Sequence, residues 1–123
     1  MSDTSTSEKP TSQITTHVLD VSIGRPAAGV PVVLDVEDVG TGWKQLGRGQ
    51  TDKDGRLRDL LAAGALVEGT YRLTFDTHTY FADRKIAEFY PQVSVVFSVR
   101  QSGENYHIPL LLSPFGYSTY RGS

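Results

Sequence analysis

Tyr106-His-Ile-Pro-Leu-Leu-Leu-Ser-Pro-Phe-Gly-Tyr-Ser-Thr-Tyr-Arg-Gly-Ser123 is the stretch whose reading decides the fold. Its first part alternates. Ile108, Leu110 and Leu112 share one parity; His107, Pro109 and Leu111 share the other. Successive side chains of a strand point to opposite faces, so Asn105–Leu112 reads as a strand with two distinct surfaces. Gly116–Arg121 reads as the strand that follows it. The opposite end of the chain carries a matching pattern. In Ile14–Val21, Ile14, Thr16 and Val18 share one parity and Thr15, His17 and Leu19 the other. If Val18 and the Ile108/Leu110/Leu112 row face a core, His17 and His107 both point to the opposite sheet surface. That surface also carries Leu19, Leu111 and Tyr120. An outer face with so much apolar area reads as a contact surface or a pocket wall.

Between these ends lie further short strands. Pro31–Asp38 alternates Val32, Leu34 and Val36 against Asp35 and Glu37. Trp43–Gln50 is polar and edge-like, Leu57–Leu61 is short, Thr70–Phe75 alternates Tyr71, Leu73 and Phe75, and Gln92–Val99 alternates Val93, Val95, Phe97 and Val99. Turns are marked by Gly24-Arg25-Pro26, Gly40-Thr-Gly42 and Asp52-Lys-Asp54-Gly55. Asp76–Lys85 is the single helix candidate, with Asp76 as its cap and Tyr80 and Phe81 on its apolar side. Seven or eight short strands with one short helix predict an all-β sandwich. Residues 1–13 are rich in Ser and Thr and nearly devoid of apolar side chains, so they read as a disordered tail, with the domain spanning 14–123.

Composition narrows the function. The chain has 123 residues, 12 Lys+Arg, 14 Asp+Glu, a net charge of −2 and no cysteine. A phosphate-dominated nucleic-acid binder ordinarily carries a basic surplus, so nucleic acid is not an expected partner. Thiol catalysis, thiolate metal sites and disulfides are excluded. No apolar run is long enough to span a membrane, and no secretory or peroxisomal signal is visible, so the expected location is cytoplasmic. Gly47-Arg-Gly49 lacks the Lys and the following helix of a phosphate-binding loop.

The histidines are the first candidates for chemistry, because imidazole titrates near neutral pH. A lone surface histidine is ordinarily just solvated, and His78 in the helix is read that way. His17 and His107 on one patterned face are harder to dismiss. Arg56, after the Asp54-Gly55 turn, is either a solvated turn residue or a guanidinium able to polarise a carbonyl or clamp a planar anion. Ser118 and His107 could suggest a nucleophilic serine, but no Gly-x-Ser-x-Gly elbow exists. Two distant histidines without a spaced third ligand give no zinc signature.

The terminal run also resembles the transthyretin superfamily, and more closely the 5-hydroxyisourate hydrolases, whose signature ends in Tyr-Arg-Gly-Ser. Further matching blocks are Thr16-His-Val-Leu-Asp20, Gly24-Arg-Pro-Ala-Ala-Gly-Val-Pro31, Thr51-Asp-Lys-Asp-Gly-Arg56, Gly69-Thr-Tyr-Arg72 and Phe89-Tyr-Pro91. The resemblance covers residues 14–123. It implies a transthyretin-like sandwich of two four-stranded sheets with one short helix, assembled as a homotetramer (a dimer of dimers) around a channel. It implies hydrolysis of 5-hydroxyisourate to 2-oxo-4-hydroxy-4-carboxy-5-ureidoimidazoline in urate breakdown, without metal or organic cofactor. The implied catalytic residues are His17, Arg56 and His107; Ser118 and Tyr120 join His17 and Arg56 in holding substrate, and Tyr120, Arg121, Gly122 and Ser123 form the terminal motif. One histidine would activate water, with Arg56 stabilising developing charge; which histidine is the base stays open. The hormone carrier of the same superfamily replaces both histidines and the arginine, so a carrier of planar aromatic ligands is the competing expectation.

Overall fold

The structure, a computed structural model, describes residues 12–123. The segment read as a tail lies outside the described residues up to position 11. Ser12 and Gln13 lead into the first strand: the Ser12 amide donates to the Arg58 carbonyl at 2.9 Å, and the Gln13 side-chain amide donates to the carbonyls of Ser102 and Glu104.

Nine strands and one helix follow: β1 (Ile14–Asp20), β2 (Arg25–Pro26), β3 (Pro31–Asp38), β4 (Gly42–Gln50), β5 (Arg56–Leu57), β6 (Gly69–Phe75), α1 (Thr77–Asp83), β7 (Val93–Val99), β8 (Tyr106–Ser113) and β9 (Gly116–Thr119). They form two sheets, as expected of a sandwich. One has the order β4-β3-β6-β7, antiparallel throughout. The other runs β2-β1-β8-β9, with β5 also paired to β1. That second sheet counts five strands where four were expected. The reason is local: β1 has two edges, and β8 takes one along its whole length. The two-residue strands β2 and β5 share the other edge, end to end. Gly24-Arg25-Pro26 therefore does more than turn the chain, and the expected strand Leu57–Leu61 shrinks to Arg56–Leu57.

The β1–β8 pair is parallel. A parallel pair cannot be joined by a tight hairpin. Here the entire other sheet and the helix lie between the two strands, so Thr15 and His107 become neighbours across 92 positions of sequence.

Alternation fixes which faces meet. Ile14, Val18, Ile108, Leu110 and Leu112 from one sheet pack with Val32, Leu34, Tyr71, Leu73 and Phe75 from the other, all at 5% exposure or less. Burying each such side chain contributes about 1.5–3 kcal/mol. Thr16 also points inward and donates from Oγ1 to the Ile108 carbonyl at 2.6 Å. Asp20 is fully buried, yet its carboxylate accepts from the Tyr80 hydroxyl at 2.7 Å and the Ser22 amide at 3.0 Å. This joins α1 to the end of β1. Burial and the Asp20 charge push the Tyr80 hydroxyl pKa upward. The helix starts where its cap predicts: Asp76 Oδ1 accepts from the Thr79 amide at 3.0 Å. Its apolar side, Tyr80 and Phe81, is buried. Among the described residues no helix is long and apolar enough to cross a membrane.

Candidate active site

The site is built on the outer face of the β1–β8 sheet. The turn before β5 sets its first member. The Asp52 carboxylate accepts from the Asp54 amide at 2.8 Å and the Arg56 amide at 3.0 Å. The bond from the Arg56 amide is the main cause that holds the Asp52 carboxyl below its usual range. Gly55 has φ +76°, and a Cβ there would stand 2.4 Å from the Val18 carbonyl oxygen. Only glycine allows the turn to press this closely on β1. The result is register: Leu57 lies opposite Thr16 and enters the core, so Arg56, opposite His17, must face outward.

Pairing then lays out rows across the face. Arg56 stands opposite His17, and His17 opposite Pro109. Thr15 stands opposite His107, and His107 opposite Gly122. Pro26, Leu19, Leu111 and Ser118 make a third row. The parity read from the sequence therefore holds: His17 and His107 share the outer face, on adjacent strands and diagonal to each other.

His107 is the most constrained of these residues. Its Nδ1 lies 2.8 Å from Thr15 Oγ1. Burial pushes its pKa down, and the positive charges of Arg56 and His17 push it further the same way. The shift favours the neutral ring. The Gly122 amide donates to the His107 carbonyl at 2.8 Å. A Cβ on Gly122 would lie 2.6 Å from His107 Cδ2 and 3.2 Å from Pro109 Cγ. The glycine of the terminal motif is therefore the residue that lets the chain cross directly over the imidazole.

His107, Arg56 and Ser123 line a hollow of about 320 Å³, together with Ser12, Thr15, Thr16, Arg58 and Asn105. Among the described residues no carboxylate side chain lines it. Among the described residues neither Arg56 nor Arg58 makes an ion pair. The hollow is consequently polar and positively charged, suited to a small anion or a group that becomes one.

The expected site residues divide into groups. Arg56, His107 and Ser123 come together in the hollow, and His17 adjoins it through its pairing with Arg56. Ser118 lies beyond Leu111, in a shallow depression with Val21 and Tyr117. Tyr120 is 59% exposed and stands on the rim of an apolar groove between β7 and β8–β9. Arg121 turns away from the hollow: its Nη2 donates to Glu104 Oε1 at 3.1 Å and to the Asn105 carbonyl at 3.3 Å, and its guanidinium lies 4.4 Å over the Tyr106 ring. It ties the terminal segment to the start of β8. His78 lies outside the site, with Nδ1 3.1 Å from Glu88 Oε1. The sequence reading missed Ser12, Thr15, Thr16, Arg58 and Asn105. Thr15 and Arg58 had a usable signal, since each sits two positions from a named site residue and so shares its parity. Among the described residues no three His, Asp or Glu side chains are grouped to hold a metal ion.

Fold and site together define a transthyretin-type sandwich bearing a basic, histidine-containing hollow on one outer sheet face. The HIUase/Transthyretin family model matches residues 14–122, and the chain belongs to that family. A 5-hydroxyisourate hydrolase of Salmonella dublin is 46% identical over 110 residues, which is 89% of this chain and 80% of that protein. The solved structure of Klebsiella pneumoniae 5-hydroxyisourate hydrolase superposes with a TM-score of 0.77 at 35% identity, covering 89% of this chain and 98% of that one. Sea bream transthyretin, solved in complex with thyroxine, superposes with a TM-score of 0.85 at 31% identity, covering 90% and 95%. The fold is thus shared with a transthyretin and with a 5-hydroxyisourate hydrolase, and several curated relatives matched by sequence are named 5-hydroxyisourate hydrolase, probable in one case.

Proposed function

We propose that this chain is a 5-hydroxyisourate hydrolase, converting its substrate to 2-oxo-4-hydroxy-4-carboxy-5-ureidoimidazoline. The observation that carries the reading is that His107 and Arg56 line one hollow in which, among the described residues, no carboxylate side chain stands and Arg56 makes no ion pair. Ring-amide hydrolysis needs a base for water, a positive group for the carbonyl oxygen, and a proton for the departing nitrogen. A neutral imidazole accepts a proton at pH 7, and the Thr15 contact at Nδ1 leaves Nε2 for that task. Water adds to the carbonyl carbon as its proton passes to His107. The negative charge that develops on the carbonyl oxygen lies against Arg56. When the C–N bond breaks, the proton held by His107 goes to the leaving nitrogen; an N–H and a carboxylic acid result, and the acid loses its proton to solvent to become a carboxylate. His17, opposite Arg56, orients water or substrate. In this reading Ser118 and Tyr120 complete substrate binding from their positions outside the hollow.

The reading includes a homotetramer. Leu19, Pro109 and Leu111 form an apolar band on the same outer face. A second copy laid over that band would shelter it and enclose the hollow, bringing Ser118 and Tyr120 closer to it. A carrier of planar aromatic ligands is the second reading, favoured by the higher TM-score to sea bream transthyretin. Against it stands the polarity of the hollow, since an aromatic ligand does not call for two guanidiniums and an imidazole.

A coupled ultraviolet assay separates the two. Uricase generates 5-hydroxyisourate in the cuvette, and its decay is followed with the wild type and with Arg56→Glu. Acceleration by the wild type alone supports the hydrolase. No acceleration by a folded wild-type tetramer overturns it and leaves a carrier to be tested by ligand binding.

A further inference from the structure

We infer that Arg58 is a substrate-positioning residue, a second guanidinium that holds the substrate as an anion while Arg56 serves the reacting carbonyl. This rests on the hydrolase reading and adds to it a division of labour between two charges.

Three observations carry it. Arg58 lines the same hollow as Arg56 and His107. Its backbone is fixed at that wall, because its carbonyl accepts from the Ser12 amide at 2.9 Å. Its side chain makes no ion pair among the described residues, and the hollow supplies no carboxylate side chain to neutralise it. Two guanidiniums facing one small concavity repel each other, and Asp52, whose carboxyl both of them help hold down, is not part of its lining. An anion between them removes that repulsion and gains two sets of charge-assisted hydrogen bonds. Oxidised oxopurines suit such a site: they are planar and acidic and present several carbonyl oxygens. Asn105, on the same wall, adds a neutral donor and acceptor for the ring edge.

The two arginines differ in what they approach. Arg56 is half-buried and stands opposite His17 in the β5–β1 pair. Arg58 lies just past the end of β5 and is exposed. A charge there contributes equally to bound substrate and transition state, so it belongs in KM rather than kcat. It also adds long-range attraction that salt screens.

The test uses Arg58→Gln, which removes the charge, and Arg58→Lys, which keeps it. For Arg58→Gln we expect KM to rise about tenfold, with kcat falling far less, and the salt dependence of kcat/KM to flatten. Arg58→Lys should restore the salt dependence. Binding of urate, a stable planar oxopurine anion, is measured in parallel by calorimetry. Affinity should fall about tenfold in Arg58→Gln at low salt, and the gap should close at high salt. Equal KM and equal urate affinity in wild type and Arg58→Gln would overturn the assignment. Failure of the wild type itself to bind urate would do so too. Absent turnover with Arg58-dependent urate binding would instead overturn the hydrolase reading and leave an anion site.

Discussion

Replacing Gly122 by alanine adds one methyl group at the point where the terminal segment crosses His107. The backbone there is not in the left-handed region, so the substitution tests contact alone. The new Cβ would sit 2.6 Å from His107 Cδ2, 3.3 Å from Cγ and 3.2 Å from Pro109 Cγ. Ordinary carbon contacts fall at about 3.5–4.0 Å, so something must yield by about 1 Å. Pro109 is buried and rigid, which leaves the imidazole or the terminal segment to move. If the ring tilts, it loses its 2.8 Å contact with Thr15 and its aim into the hollow. If the segment lifts, the bond from the Gly122 amide is lost and Ser123 leaves the wall. The stability cost of either is small, about 1 kcal/mol for one hydrogen bond. The catalytic cost is large, since a misplacement of about 1 Å at a reacting group can cost about 100-fold. We expect kcat/KM for 5-hydroxyisourate to fall about 100-fold with the melting temperature lowered by only a few degrees. Gly103→Ala is the control, because a Cβ there meets nothing within 4 Å. A folded Gly122→Ala with turnover within about twofold of wild type would refute the argument that the terminal glycine sets the imidazole.

Two further substitutions probe the same ring. Thr15→Val removes the partner of His107 Nδ1; nitrogen-15 NMR of the imidazole should then show mixed tautomers and kcat/KM should drop about tenfold, and an unchanged single tautomer would show that Thr15 does not fix it. Arg56→Gln should lower kcat about 10²- to 10³-fold by removing one preorganised donor. It should also move the acid limb of the pH profile upward: on the proposed reading His107 works as neutral imidazole, activity is lost as pH falls through its pKa, and Arg56 is one of the causes holding that pKa down. Burial, the largest cause, and His17 remain, so part of the depression should persist. An acid limb that stays put in Arg56→Gln would separate the two residues.

Much of this site can be read from periodicity, and the rest cannot for identifiable reasons. Period-2 alternation puts His17 and His107 on outer faces, because Val18 and Leu110 demand the core. It does not say that β1 and β8 are adjacent or parallel; that pairing is a property of the whole sandwich, made by strands nearly the full chain apart. The Asp54-Gly55 turn is legible from composition, and the structure adds why glycine is required: the Val18 carbonyl stands where a Cβ would be. Gly122 shows the opposite case. It lies in no turn, so no local rule singles it out, and its reason is a contact with a side chain fifteen positions away. Arg121 looks like a site residue by its place in the motif, yet its charge is committed to Glu104 and Tyr106. Arg58 looks like surface until the register of β5 on β1 brings it beside the hollow.

The location on an outer sheet face follows from the charges the chemistry needs. Inside the sandwich, two guanidiniums would lose their hydration, at several kcal/mol each, with no carboxylate to compensate. On an open face, His107 would titrate like any exposed imidazole and spend much of its time protonated near its ordinary pKa. The observed site lies between these limits. The sheet beneath and the terminal segment crossing at Gly122 bury His107 enough to push its pKa down, while Arg56 and Arg58 keep solvent contact. A core-facing residue cannot serve, because β8 turns Ile108 and Leu110 that way to hold the fold. The sandwich therefore uses one strand for both purposes: alternate residues of β8 make the core, and the intervening ones carry the site.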